Sequence, residues 1–436
     1  MTPVVTLIFE IVVIVLMARA FGLLFRLIHQ PHVIGEMVAG VLLGPSLLGW
    51  VAPNVYAFLF PSSSLTYLNT FSMVGILIYM FLVGMGVNYN HLNNHKHAAI
   101  LISHVSIVVP FLLGAFLALL FYTKLSDDSV SFASFALFMA AAMSVTAFPV
   151  LARILTDRHM LATRLGTLSI ACAAVDDITG WCVLALIVVL LRAHAGSIPV
   201  WVTAGGTVLF TLVMVYGARP LARYFYTAYA RRNQLGDGVT AMLLTFVLVS
   251  ALVTEQLGIH LLFGAFLAGM IMPKEPQFVR HIAEKFESIT IVLLLPLFFA
   301  FTGLRVNLHS FTGGALWLTC IAIILVAVAG KLGGSMIAAR AAGLPWKDAA
   351  GIGILMNTRG LMELVILNIG LDVGVISPVL FSMMVLMALV TTFMTAPLLE
   401  WLYPLRVMQT EVSMSLSSPQ GRVAGASTTV ASISSD

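Results

Sequence analysis

Sixty per cent of this 436-residue chain is hydrophobic and only 9% is charged, with a mean hydropathy of +1.04. That balance excludes a soluble globular domain, and a formal net charge of +4 is too small to point to nucleic acid as a partner. Cys172, Cys182 and Cys320 all fall in apolar runs, without a disulfide framework or metal-ligand spacing. The chain reads as an all-α polytopic membrane protein.

Apolar runs recur at about 20 residues, the length that crosses a ~30 Å hydrocarbon core. They predict about thirteen spans: 4–28, 33–48, 65–87, 97–121, 131–157, 167–193, 199–218, 237–256, 259–273, 286–304, 313–342, 348–370 and 375–403. The first carries Glu10 and Arg19 and lacks a basic leader, so it reads as a retained helix rather than a signal peptide. Residues 406–436 are rich in Ser, Thr, Gly and Ala and read as a disordered tail.

Of the 22 Lys and Arg residues, sixteen fall after odd-numbered spans. Only Lys124, Arg192 and Arg305 fall after even-numbered ones, and Arg19, Lys331 and Arg359 lie within spans. By the positive-inside rule the N-terminus is outside and the C-terminus cytoplasmic, as in a bacterial inner membrane.

An internal repeat accompanies this pattern. Gly35-Glu-Met-Val-Ala-Gly40 matches Gly264-Ala-Phe-Leu-Ala-Gly269, and Gly84-Met-Gly-Val-Asn88 matches Gly303-Leu-Arg-Val-Asn307. The matched pairs sit seven spans apart, and seven is odd, so the copies run in opposite directions. Approximate repeats of 1–195 and 237–405, joined by a linker helix at 199–218, have the form of a secondary transporter with its site at the repeat interface.

The sixth span holds Asp176 and Asp177 in a segment otherwise apolar from 165 to 191. One acid at that depth costs several kcal/mol, and neighbours on a helix point ~100° apart. One can therefore face a cavity while the other meets a partner. The fifth span contains Ser144-Val-Thr-Ala-Phe-Pro149, in which Pro149 removes a backbone donor and disfavours helical geometry at Phe148. Its repeat partner contains Met356-Asn-Thr-Arg-Gly360. Paired interruptions point to a binding site, where unwound backbone offers carbonyls and helix ends. Lys331, Asp177, Thr358 and Ala147 each lie ten or eleven residues from the basic end of their expected spans, roughly 15 Å deep, so acids, lysine and both breaks share a plane. Pairing Lys331 with one Asp removes the cost of a lone buried cation. Arg359 and Glu363, at i and i+4, neutralise each other as a structural or gate pair. Asn357, Thr146 and Thr358 add neutral oxygens.

Other polar residues carry blander expectations. Glu10 and Arg19 snorkel or pair at a subunit contact, Glu255 is interfacial, and Cys172 and Cys182 are small packing residues. His91, His95, His97 and His104, with His29 and His32, form a solvated cluster at the basic face rather than a pH sensor or metal site.

Thr146-Ala-Phe-Pro-Val-Leu-Ala-Arg153, Val175-Asp-Asp177, Gly330-Lys331 and Asn357-Thr-Arg-Gly-Leu-Met-Glu-Leu364 resemble the monovalent cation:proton antiporters. The similarity is to the cation:proton antiporter-2 group, with Kef-type systems and plant and fungal exchangers. The resemblance implies a homodimer with two crossed broken helices, core helices at 97–193 and 313–370, and a dimerisation scaffold elsewhere. It implies that Asp177 binds the ion or proton together with Asp176, Thr146 and Ser144. It also implies that Lys331 pairs with Asp176, and that Ala147, Phe148, Pro149, Asn357, Thr358, Arg359 and Gly360 form the crossing. The only metal is a transported monovalent cation at Asp177, and no resident cofactor or enzymatic role is implied. Kef-type and plant relatives carry soluble domains after the spans, so gating by such a domain is not expected here. Asp-Asp rather than Asn-Asp leans towards electrogenic exchange.

Physically, a carboxylate in a half-dry site holds either a proton or a small cation, and hard oxygen ligands suit sodium, lithium or potassium alike. Three other functions compete. An organic-anion symporter on a crossed-helix fold needs no Asp-Asp with a matching lysine. An intramembrane aspartyl protease needs a second motif acid, and Asp372 has none. A non-transporting ion sensor is separable only by a flux assay.

Overall fold

The computed structural model describes residues 3–86, 96–127, 130–158, 160, 163–194, 200–231, 235–258 and 260–404; their regular structure is all helical, with no strand among them. The first half runs from α1 (Pro3–Leu27) and α2 (His32–Leu43) through two short helices, α3 (Leu48–Val51) and α4 (Pro53–Leu59), into α5 (Ser62–Gly86). It continues with α6 (Lys96–Leu125), α7 (Phe132–Ser144), α8 (Phe148–Asp157) and α9 (Arg164–His194). Helices α10 (Val200–Leu212) and α11 (Arg219–Ala230), joined by a π turn at Val213–Gly217, connect the halves.

The second half comprises α12 (Asp237–Gln256), α13 (Leu261–Met270), α14 (Pro276–Ile289) and α15 (Leu295–Leu304), the last two separated by a π turn. Then come α16 (Gly314–Val328), a π turn at Ala329–Gly333, α17 (Gly334–Ala341), α18 (Trp346–Met356), α19 (Leu361–Asp372) and α20 (Pro378–Leu402).

Among the described residues, eleven helical spans are long and apolar enough to cross a membrane, and the bent pair α18–α19 makes twelve. The difference from the expected thirteen is α13. Its ten residues rise ~15 Å, less than the other spans, with Gly258 at φ 82° just before it. It is instead buried on nearly every face, against α5 and α12.

The glycine motifs explain why the halves pack as they do. A Cβ on Gly40 of α2 would lie 2.6 Å from the Phe299 carbonyl oxygen of α15, and one on Gly303 of α15 would lie 2.2 Å from the Gly40 carbonyl carbon. In the other copy, a Cβ on Gly269 of α13 would lie 2.0 Å from the Phe81 oxygen of α5, and one on Gly84 of α5 would lie 2.2 Å from the Phe266 oxygen of α13. Each copy's second helix thus crosses the other copy's third at backbone contact, the small-residue packing that membrane helices use. Gly35 meets α1 at Phe21, and Gly264 meets α12 at Ser250, so the first-helix contact is repeated as well.

Lys274 clamps one of these crossings. Its Nζ donates to the carbonyls of Gly84 (2.9 Å) and Met85 (3.0 Å) at the end of α5, and to Gly269 (3.2 Å) near the end of α13. A cation at two helix C-termini complements both dipoles. Lys274→Met removes these charge-assisted bonds and should cost about 2 kcal/mol, read as a lower melting temperature in detergent; an unchanged melt would rule the clamp out.

Candidate functional site

The two interrupted spans meet inside the bundle. Helix α7 ends at Ser144, residues 145–147 are extended, and α8 starts at Phe148. Helix α18 ends at Met356 and α19 starts at Leu361, with an angle of 40° between them. The strands of this crossing touch through their backbones: the Ala147 amide donates to the Thr358 carbonyl at 3.1 Å. Gly360 permits the approach, since a Cβ there would lie 2.8 Å from Val150 and 3.3 Å from Ala147.

Pro149 does not cause the break. Phe148 and Pro149 form the first turn of α8, where a missing N–H costs nothing because it would have no helical partner. The unwinding lies one step earlier, at Val145–Ala147. The proline-based expectation identified the right span and placed its interruption a few residues late.

Unwinding leaves helix-end carbonyls unpaired, and two buried cations take them up. Arg359 donates to the carbonyls of Ala142 (2.9 Å) and Met143 (2.8 Å), and Lys331 to that of Ser144. The C-terminus of α7 is thus held by two positive charges, matching the negative pole of a half-helix. Lys331 sits on the π turn at Ala329–Gly333, a local widening common at functional sites. It also donates to the Ser106 carbonyl (2.9 Å) and lies 3.2 Å from Asp176. Arg359 lies 3.3 Å from Glu363, and both are fully buried. Thr392 of α20 pins the backbone of Arg359 on both sides, accepting from its N–H (2.9 Å) and donating to its carbonyl (2.8 Å). Asn357 reaches the Thr391 carbonyl beside it.

The two aspartates have opposite surroundings. Asp176 is saturated: it accepts from Ser103, from Ser106 (2.7 Å) and from Thr146 (2.6 Å), and it faces Lys331. Asp177 is buried, and neither of its carboxylate oxygens has a hydrogen-bond partner. The Phe148 amide at the N-terminus of α8 faces it within electrostatic range. One turn along α9, the Trp181 indole N–H is also buried without a partner, and its ring stacks on Phe266 of α13 at 5.7 Å. With all groups ionised, three carboxylates (Asp176, Asp177, Glu363) face two cations (Lys331, Arg359), leaving one negative charge centred on the unpartnered acid.

The Ser144 hydroxyl is spent on the Ala141 carbonyl of its own helix (2.8 Å), so its backbone carbonyl, rather than its side chain, joins the site. Thr358 likewise bonds its own turn, to Leu355 (2.8 Å). Ser103 and Ser106 are site residues that the sequence motifs do not single out. Their signal was a serine pair at i and i+3 on one face of an apolar span, a spacing that places both beside a neighbouring helix.

The family described as the sodium/hydrogen exchanger, transmembrane, matches residues 12–401. The chain belongs to the sodium/hydrogen exchanger family. Within it, the chain is 43% identical over 398 residues to the Na(+)/H(+) antiporter NhaS4 of Synechocystis sp., covering 91% of this chain and 96% of that protein. It is 37% identical over 404 residues to Cation/H(+) antiporter 19 of Arabidopsis thaliana and 34% identical over 410 residues to K(+)/H(+) antiporter 1 of Saccharomyces cerevisiae. Of those two it covers 49% and 47%, about half their lengths. The fold is similar to that of the sodium proton antiporter MjNhaP1 from Methanocaldococcus jannaschii, with a TM-score of 0.68 at 12% identity, over 92% of this chain and 97% of that one.

The remaining polar residues of this exchanger-family chain are mostly structural. Glu10 does not snorkel: it is fully buried and accepts from Ser64, because α1 turns that face onto α5 rather than to a membrane surface. Arg19 also has a buried nitrogen without a hydrogen bond. Glu255 accepts from the Leu261 amide (3.1 Å) at the start of α13. Cys172 is buried but Cys182 is exposed; ten residues of helix turn the two about 80° apart around α9. His97 and His104 are exposed, whereas His91, His95 and the segment 406–436 lie outside the described residues. At the other face, Arg305 bonds Asn368 (2.8 Å) and pairs with Asp372, so Asp372 serves an ion pair at a helix end.

Proposed function

We propose that this membrane protein is a secondary antiporter exchanging a monovalent cation (sodium, potassium or lithium) for protons by alternating access. The observation that carries the reading is Asp177, a buried carboxylate with both oxygens free of hydrogen bonds beside two unwound backbones. Every other charge of the site has a partner. A single uncompensated negative charge is balanced by one proton or one small cation, and binding of either disfavours the other. Asp176 is the fixed acid, positioned with Thr146 by Lys331 and the serines of α6. The extended segments supply neutral oxygens for a partly dehydrated cation.

In this reading the helices that carry the crossing, α6–α9 and α16–α19, rock against a scaffold of α1, α2, α5 and α12–α15. The scaffold carries the contacts of a homodimer. The basic face is cytoplasmic, in a bacterial inner membrane, and a proton gradient drives the cation outward, contributing to pH homeostasis. An Asp-Asp site with its own lysine favours electrogenic stoichiometry.

The test is purified protein in proteoliposomes with an imposed pH gradient, an internal pH dye, and sodium, lithium or potassium added in turn. One or more cations should collapse the gradient. Where protons compete for the same carboxylate, the apparent KM for the cation rises with acidity, approaching about tenfold per pH unit, by mass action. A KM independent of pH would reject a shared site. No response to any cation would bring forward the organic-solute and sensor alternatives.

A further inference from the structure

A second polar site lies at the basic face, apart from the crossing. The turn between α1 and α2 and the far end of α8 enclose a cavity of about 570 Å³. Arg26, His29 and His32 line it from the turn, and Arg153 and Arg158 from α8 and its cap. Among the described lining residues Asp157 is the only carboxylate, and Arg153 holds it at 3.1 Å. Glu400 of α20 pairs with Arg158 at 2.6 Å. The Arg26 side chain is exposed and has no ion pair or hydrogen bond among the described residues. His32 lies within electrostatic reach of Arg19, Arg26 and Arg153, against one acid, Asp157. The cavity is therefore positive even with both histidines neutral, which makes it a poor route for a cation to Asp177.

An excess of guanidinium groups in a concave site suits an anion with several acceptor oxygens, and Arg forks match phosphate. An apolar groove on α1 runs out of the same place. It shares Arg26 and His29 and passes over Ala20, Leu23, Leu24 and Leu27, of which the three leucines are 58%, 51% and 76% exposed. A phosphate carrying an acyl chain fits the pair of features, headgroup inward and chain along α1.

We infer that this cavity binds a phosphate-bearing anion, bridging the α1–α2 turn to α8. Helix α8 begins at the crossing and ends at this cavity, ten residues or ~15 Å away. An occupant would tether one half of the broken span and slow exchange; that consequence rests on the transport reading, whereas binding does not.

Binding is tested on the full chain in detergent, by melting temperature and native mass spectrometry. The probes are phosphatidylglycerol, phosphatidylcholine or inorganic phosphate, each with wild type, Arg26→Gln and Arg153→Gln. Arg26→Gln removes no contact, so its melt without added lipid or phosphate should match wild type, and it decides the matter if Arg153→Gln is less stable. Phosphatidylglycerol should stabilise more than phosphatidylcholine, with roughly tenfold or greater loss of apparent affinity in the variants. If inorganic phosphate acts alike, with the same loss, the site takes soluble phosphates. If only phosphatidylglycerol acts, it takes a lipid. Equal effects of both lipids without a phosphate effect, no stabilisation by any phosphate, or undiminished affinity in Arg26→Gln would overturn the inference.

Discussion

Asp177→Asn should abolish cation-coupled proton movement in proteoliposomes, to the level of empty vesicles. The amide keeps nearly the same shape but neither titrates nor carries the charge that a bare cation needs. It should not unfold the protein, because neither oxygen of Asp177 makes a hydrogen bond that would be lost, and a buried amide costs less than a buried unpaired carboxylate. The melting temperature in detergent should therefore be unchanged or higher. Exchange retained at wild-type rate would remove Asp177 from its role. A melt well below wild type would show that the acid is a structural partner.

Lys331→Ala should have the largest effect on stability, about 3–5 kcal/mol, the usual consequence of deleting one member of a buried pair. The Asp176 carboxyl would be left in the interior with only hydroxyl donors, and the carbonyls of Ser106 and Ser144 would lose their cation. Adding Asp176→Asn to Lys331→Ala should recover part of the loss, since the stranded charge disappears while Ser103, Ser106 and Thr146 keep an acceptor. The measurement is the double-mutant cycle by thermal unfolding. Strictly additive single effects would mean that the 3.2 Å approach carries no coupling.

Much of this site was legible before any coordinates. Charges in apolar spans are expensive, so Asp176, Asp177, Lys331, Arg359 and Glu363 stood out individually, and the repeat put the two interrupted spans in register. What did not follow was how the charges divide their work. Lys331 reads as a counter-ion for an aspartate; in the structure it, with Arg359, also caps the end of α7, because unwinding one span frees carbonyls that only another element can reach. Ser103 and Ser106 do not stand out because serine is common in membrane helices, and only the packing of α6 on α9 gives their hydroxyls an acceptor. The phosphate-suited cavity was equally hidden: Arg26 and Arg153 are 127 positions apart, and each alone is an ordinary residue of the basic face.

The sequence by itself determined a helical membrane protein, the basic face, the repeat of the glycine motifs in oppositely directed copies, and an exchanger-family likeness. All follow from local quantities: apolar length, charge placement, and motifs within a few residues. Only the tertiary structure decided that α13 is ten residues long, that the break falls at Val145–Ala147 with Pro149 inside the next helix, and that Asp176 is saturated while Asp177 is bare. On a helix, adjacent acids differ only by rotation, and which one meets Ser103, Ser106, Thr146 and Lys331 depends on how α6, the crossing and the π turn at Ala329–Gly333 pack around α9.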